Sequence, residues 1–232
     1  LRSLEEARGL GMKVEPAIRT PDHLDLHEVS ASVDELRPLI DWTPFFHAWE
    51  LKGTYPRLLD DARVGEQARS LLADAERMLD SLARDHEAMR GVAGMFPANR
   101  VGDDIVVWDS PERAKVVETL HTLRQQGSKL DQCVALADFV APEGAGVDWI
   151  GGFCVTAGHG IAEKARALEA QHDDYEAILL KSVADRLAEA FAEWLHRHVR
   201  THLWGYAKGE DLDLQGLIKE DYEGIRPAPG YP

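Results

Sequence analysis

The sequence predicts an α+β fold with a largely antiparallel, twisted sheet and long flanking helices. Two stretches, residues 60–86 and 161–200, repeat apolar side chains at helical spacing. Between them lie short apolar runs bounded by turn-forming residues, a pattern typical of strands joined by short connections. Strand pairs beside helices of unequal length favour this class over alternating strands and helices around a parallel sheet.

The first 27 residues predict an N-terminal arm or interdomain linker, because Pro16, Pro21 and scattered charges leave no sustained period. Residues 28–232 then form the main domain. Ser32 and Glu35 have the spacing of a capping box, which predicts a short helix to about Ile40. Residues 41–46 break that helix, and a strand is expected at 47–51.

The apolar residues of the first long stretch predict an amphipathic helix from 60 to about 86. They are Val64, Ala68, Leu71, Leu72, Ala75, Met78, Leu79 and Leu82. The elements that follow are predicted in this order: strands at 91–96 and 104–108 around a turn at 97–102, a helix at about 112–126, and strands at 134–140 and 149–156.

The second long stretch, residues 161–200, predicts a helix with one apolar stripe that breaks near His172. A short acidic helix is expected at about 211–220. The last residues, 225–232, hold three prolines, Arg226 and Tyr231 on a stiff backbone. This segment is either a ligand clamp, with Arg226 and free amides as donors, or a proline-rich surface turn.

Composition excludes several classes of function. The formal charge is -15, with 26 basic and 41 acidic residues, which makes nonspecific nucleic-acid binding an unsuitable role. No apolar run is long enough for a membrane span, and the start of the chain lacks the apolar region of a signal peptide, so we expect a cytoplasmic location without membrane contact. Cys133 and Cys154 form no paired motif and predict small buried strand residues.

A metal site is the most tempting chemical signal and also a weak one. Two ExxH motifs, at 169–172 and 193–196, have the spacing of di-iron carboxylate bundles. On one continuous helix the motifs would lie about 36 Å apart, too far to share a metal pair, so we expect no metal site. Phosphate-binding, dinucleotide-binding and acyl-transfer motifs are missing from the sequence.

Five blocks of the sequence closely resemble the activation domain of cobalamin-dependent methionine synthase. They occur in order at residues 41–46, 96–104, 136–142, 169–190 and 226–232. The resemblance implies an S-adenosylmethionine-binding activation domain over residues 28–232, within a methyltransferase that moves a methyl group from methyltetrahydrofolate through cobalamin to homocysteine. The family continues beyond a terminal Pro-Gly-Tyr-Pro, so we expect a C-terminally truncated domain.

The resemblance also implies a mechanism. The family presents S-adenosylmethionine to cobalamin that has been oxidised to the inactive cob(II) state, while flavodoxin or a related flavoprotein supplies an electron. Cobalamin is held by the cobalamin-binding domain of the same polypeptide, and zinc by another domain of the parent enzyme. This fragment alone is therefore not expected to turn over. The alternative is a freestanding protein that binds S-adenosylmethionine or reactivates a separate corrinoid protein.

The residues that match the ligand contacts of the family follow from the same resemblance. They are Asp41, Glu189, Glu220, Arg226 and the backbone of Pro227, Ala228, Pro229, Gly230 and Tyr231. The carboxylates are expected near the ammonium and sulfonium groups, and Arg226 at the ligand carboxylate. If the resemblance is set aside, the sequence predicts solvated surface charges at Glu189 and Glu220 and a turn-forming residue at Asp41. No residue of this chain is expected to act as a general acid or base.

Overall fold

The computed structural model describes residues 1–13, 17–84, 89–158 and 160–227 of the chain. The chain divides into two compact units. The first unit contains Leu1–Leu26, Ala93–Gly152 and His202–Tyr206, and the second contains His27–Val92, Phe153–Thr201 and Ala207–Pro232. Each unit is therefore assembled from three separate stretches of sequence.

The described residues form seven α-helices and five strands. The helices are α1 (Leu4–Gly9), α2 (Val33–Leu36), α3 (Trp42–Ala48), α4 (Gly65–Arg84), α5 (Ile161–Ala170), α6 (Asp174–His198) and α7 (Leu214–Ile218). The strands are β1 (His27–Ala31), β2 (Met89–Val101), β3 (Asp104–Trp108), β4 (Val116–His121) and β5 (Asp148–Thr156). A π-helical turn, Val199–Leu203, continues α6.

The strands form one sheet in the order β1-β2-β3-β4, with β5 paired to β2. The β2–β3 and β3–β4 pairs are antiparallel. Together with the helices, this sheet confirms the predicted α+β class. A tight turn joins β2 to β3, where Gly102 adopts φ 67°, a left-handed conformation that glycine accepts without a Cβ clash.

A buried ionic network ties the ends of the first unit's elements together. Asp138 is 1% exposed and accepts two hydrogen bonds from Arg124 at 2.8 Å, and Arg100 lies 3.2 Å away. Asp103 also accepts from Arg124 and from Arg8 of α1, each at 2.9 Å. Burial alone would raise the pKa of Asp138, but the Arg124 bonds lower it to about 2. The network therefore anchors α1 to this unit.

The second unit has an apolar core between the long helices. The packed face of α6 contributes Leu179, Val183, Leu187 and Phe191, all with essentially no exposure. Helices α2, α3, α4 and α5 all pack against α6. The break predicted near His172 is confirmed, because α5 ends at Ala170 and His172 takes φ 60° before α6 begins. Thus α6 is the central element of this unit.

Several predicted elements are confirmed. The capping box of Ser32 and Glu35 opens α2, the amphipathic stretch forms α4, and β3 and β5 lie where strands were expected. The short helix at 211–220 is present as α7, capped by Asp213.

Other predicted elements are wrong. The helix expected at 112–126 is instead β4, which pairs with β3, and the strand expected at 134–140 contains the 3-10 turn Leu136–Phe139. The strand expected at 47–51 overlaps the end of α3, which starts directly after Asp41 rather than following a break. The turn predicted at 97–102 lies largely within β2, and α1 forms inside the stretch interpreted as an arm. The division of the chain at residue 28 remains a prediction.

The two cysteines each meet half of the expectation. Cys133 is buried but lies outside the strands, and Cys154 lies on β5 but is exposed. Cys133 belongs to the first unit and Cys154 to the second.

Candidate functional site

Three polar side chains occupy one face of the C-terminal half of α6 and the π-helical turn after it. Glu193, His196 and Arg200 are spaced i, i+3, i+7, which places them one above another on a helix. The chain that follows α7 returns over this face and brings Tyr222 and Arg226 against it. All five residues belong to the second unit.

Arg200 is the centre of this cluster. Its side chain is fully buried, and its guanidinium donates to both oxygens of Glu210, at 2.7 and 2.5 Å. A third bond, 2.7 Å long, joins it to Nδ1 of His196, and the guanidinium carbon lies 4.1 Å from the centroid of the Tyr222 ring. A buried charge needs such partners, because an unpaired guanidinium would be strongly destabilised. Arg200 therefore connects the end of α6 to Glu210, which precedes α7, and to Tyr222, which follows α7.

His196 is held neutral by its surroundings. Burial, together with the positive charges of Arg200 and Arg226, lowers its pKa to about 3. Because Arg200 can only donate, Nδ1 of His196 accepts and the remaining proton lies on Nε2. The edge of the imidazole meets the Tyr222 ring with centroids 5.0 Å apart. At neutral pH, His196 is therefore a packing and hydrogen-bonding residue.

Arg226 forms an ion pair with Glu193 of α6. Each side chain is 21% exposed. The pair is incomplete, since Oε2 of Glu193 and Nε of Arg226 are both shielded from solvent and have no hydrogen-bond partner among the residues that the structure describes. Burial raises the pKa of Glu193, an effect that Arg226 opposes. Arg226 is thus placed in the cluster, with part of its hydrogen-bonding capacity unused.

Two of the predicted ligand residues border this pair. Glu189 is exposed one helical turn before Glu193, and its charge contributes to the raised pKa of the Glu193 carboxyl. Glu220 is exposed in a left-handed conformation, φ 57°, and with burial and Glu193 it raises the pKa of Tyr222. Of the predicted ligand residues, Arg226 therefore pairs with Glu193, while Glu189 and Glu220 act on neighbouring members of the cluster through their charges. Their contact with a ligand remains a prediction.

Asp41 has a structural role of its own. Its carboxylate accepts a 2.9 Å hydrogen bond from the backbone of Thr43 and so caps α3. The cap explains the aspartate without a ligand, and its assignment to a ligand stays a prediction. Pro227 is exposed, whereas Ala228, Pro229, Gly230 and Tyr231 lie outside the described residues.

The sequence analysis did not identify Glu193, His196, Arg200, Glu210 or Tyr222 as parts of this site. Glu193 and His196 were noticed only as an ExxH motif. The available signal was the spacing of Glu193, His196 and Arg200, which places three polar side chains on one face of the helix, opposite the buried Phe191 and Leu195. Glu210 and Tyr222 carry no such signal, because their partners are distant in sequence.

The two ExxH motifs have other partners. Glu169 pairs with Lys181 at 2.5 Å, Glu193 pairs with Arg226, and His196 bonds Arg200. Among the described residues, no group of three or more His, Cys, Asp or Glu side chains is placed to hold a metal ion. Within the same residues, no helix combines the length and apolar character that crossing a membrane requires.

Comparison with known proteins points to one family. The family described as "Vitamin B12 dependent methionine synthase, activation domain" matches residues 32–232. The chain is also similar to a solved structure described as the MetH reactivation domain bound to AdoHcy. That similarity has 49% sequence identity and a TM-score of 0.92, and it covers 100% of this chain and 73% of the other.

Proposed function

Because the chain belongs to the activation-domain family of vitamin B12-dependent methionine synthase, we propose that it binds S-adenosylmethionine beside α6 and presents its methyl group for reactivation of cobalamin. In this proposal Arg226 binds the ligand carboxylate. Asp41, Glu189 and Glu220 lie near its positive groups, and the backbone of residues 227–231 completes the contact.

The observation that carries this proposal is the position of Arg226. Its guanidinium pairs with Glu193 of α6, the side chain is partly exposed, and one donor has no partner among the described residues. A guanidinium fork suits a carboxylate, and surrounding carboxylates suit an ammonium and a sulfonium. The solved relative is described as bound to AdoHcy, the molecule that remains when S-adenosylmethionine has given up its methyl group. This relationship supports a ligand of the same class here.

The work of this chain is binding and orientation. The sulfonium already activates the methyl group, so no general acid or base is needed, and the neutral His196 suits a supporting role. The methyl acceptor is reduced cobalamin, held by another domain of the same polypeptide, and flavodoxin or a related flavoprotein supplies the electron in the cytoplasm. Zinc belongs to another domain of the parent enzyme. The chain by itself does not turn over.

The test is isothermal titration of S-adenosylmethionine and S-adenosylhomocysteine into the purified chain and its Arg226→Ala variant. We expect saturable binding in the wild type and at least a tenfold loss in the variant, with little change in the free energy of unfolding. Arg166→Ala is the matched control, because Arg166 is 69% exposed on α5 and its contacts are local, a salt bridge to Glu163 and a hydrogen bond to the Ala162 carbonyl. Equal loss in both variants would contradict the proposal.

A further inference from the structure

The Glu193–Arg226 ion pair has one donor and one acceptor left over. In a complete pair between two buried side chains, each polar atom finds a partner, since an unpaired buried group costs free energy. Within residues 1–13, 17–84, 89–158 and 160–227, Oε2 of Glu193 and Nε of Arg226 have no partner. The pair therefore lacks one hydrogen-bond donor on the Glu193 side and one acceptor on the Arg226 side.

The local charge balance points the same way. Two further carboxylates act on residues of this cluster, because the charge of Glu189 helps to raise the pKa of Glu193 and the charge of Glu220 helps to raise the pKa of Tyr222. Arg226 is the cation that pairs with Glu193, whereas Arg200 is already engaged by both oxygens of Glu210. A ligand that brings more positive than negative charge would balance this excess of acid. S-adenosylmethionine, with an ammonium, a sulfonium and one carboxylate, has that balance.

The geometry of an α-amino acid adds a further constraint. Its ammonium and carboxylate are attached to one carbon, so a protein that binds both needs an acidic and a basic side chain next to each other. Glu193 and Arg226 are in direct contact and satisfy this requirement. The two exposed glutamates, Glu189 and Glu220, are more fully solvated, and their attraction to an ammonium is correspondingly weaker.

We infer that Glu193 binds the α-ammonium of the ligand while Arg226 binds its α-carboxylate. On binding, the internal ion pair is then exchanged for two ion pairs with one zwitterionic group. This inference rests on the proposed function and adds a specificity-determining residue to it. The exchange gives the left-over donor and acceptor their partners, and it makes recognition depend on both charges of the amino-acid end.

The experiment compares two ligands that differ only in the ammonium. One is S-adenosylhomocysteine, and the other is its deamino analogue, which keeps the adenosine, the thioether and the carboxylate. Both are titrated into the wild-type chain, Glu193→Gln and the matched control Glu176→Gln. Glu176 lies on the same helix, 17 residues and about 25 Å from Glu193, and like Glu193 it is half-buried.

We expect wild type and Glu176→Gln to prefer S-adenosylhomocysteine by about tenfold or more, the value of a charge-assisted hydrogen bond. In Glu193→Gln this preference should fall to nearly one, because the ammonium loses its charged partner. A general loss of structure would weaken both ligands equally and leave the preference unchanged, so the ratio isolates the contact. A second variant, Glu193→Asp, keeps the charge and should retain part of the preference.

Three results would overturn the inference, and they are distinguishable. A preference that persists in Glu193→Gln would assign the ammonium to another residue. Tighter binding of both ligands by Glu193→Gln would mean that Glu193 only competes for Arg226. Failure of the wild type to bind either ligand would refute the proposed function, and the role of Glu193 would fall with it.

Discussion

Replacing Glu210 by glutamine should strongly destabilise the second unit, because it neutralises the partner of a fully buried guanidinium. Arg200 is 0% exposed and Glu210 6%, and two charge-assisted hydrogen bonds of 2.7 and 2.5 Å join them. Removing one member of a buried ion pair typically costs about 3–5 kcal/mol. Glutamine keeps one acceptor oxygen, so we expect the lower end, about 3 kcal/mol.

The assay is urea unfolding followed by circular dichroism, with the free energy of unfolding extrapolated to water. The control is Glu163→Gln on α5. Glu163 pairs with Arg166 at 3.0 Å, but both side chains are about 70% exposed, and such surface pairs contribute about 0.5 kcal/mol or less. If the two substitutions lower the free energy of unfolding by the same amount within about 0.5 kcal/mol, burial does not make the Arg200–Glu210 pair more stabilising than a surface pair, and the reasoning is refuted.

Three further predictions concern separate parts of the second unit. His196 has a folded pKa of about 3, below its ordinary 6.5, so stability should be lost as the pH falls from about 6.5 towards 3, at up to about 1.4 kcal/mol per pH unit. His196→Asn, compared with wild type in urea titrations at each pH, should lack this component; identical slopes would contradict it. Asp41→Asn should still cap α3, so the free energy of unfolding should change by less than about 0.5 kcal/mol, while the lost charge should weaken S-adenosylmethionine binding. An unchanged affinity in the titration would remove Asp41 from the proposed site. Gly91→Ala should lower the free energy of unfolding by about 1–3 kcal/mol, because the added Cβ would lie 3.0 Å from the Cys154 carbonyl oxygen and 3.3 Å from the Phe191 ring. An unchanged melting temperature in thermal unfolding would show that the neighbouring atoms relax without cost.

Local patterns predicted the elements that depend on local physics. The capping box at Ser32 and Glu35 works within four residues, and both of its hydrogen bonds are present. The apolar series of α4 extends over five turns, which distinguishes a helix from a strand clearly. The break near His172 was also predicted, and it lies where α5 ends and α6 begins.

The failures occurred where distant pairing decides. Val116, Val117 and Leu120 fit a helix as well as a strand, and the segment becomes β4 because β3 offers it a hydrogen-bonded partner, for example Val107 opposite Glu118. Residues 97–102 contain a proline and a glycine, yet the chain there continues as β2 into a very tight turn. Sequence patterns of fewer than ten residues do not contain this information.

The same limit applies to the site. Arg226 was identified first as a donor in the stiff terminal segment and then from the family resemblance, but its partner Glu193 is 33 residues earlier and was seen only as half of a metal motif. Asp41 was predicted to follow a helix, and the structure shows that it starts one. The sequence thus pointed to Arg226 in the terminal segment. The face of α6 on which Arg226 packs became clear only from the fold.

The order in which the second unit is synthesised has a consequence for how it folds. Its first stretch contains α2, which packs against α6, and its last stretch contains Glu210, the partner of the buried Arg200. About 175 residues separate α2 from Glu210, which a ribosome needs roughly 10–35 s to make. The nascent chain must therefore hold an unfinished apolar surface for that time, and a chaperone that shields α2 until α6 and Glu210 emerge would raise the yield of folded protein.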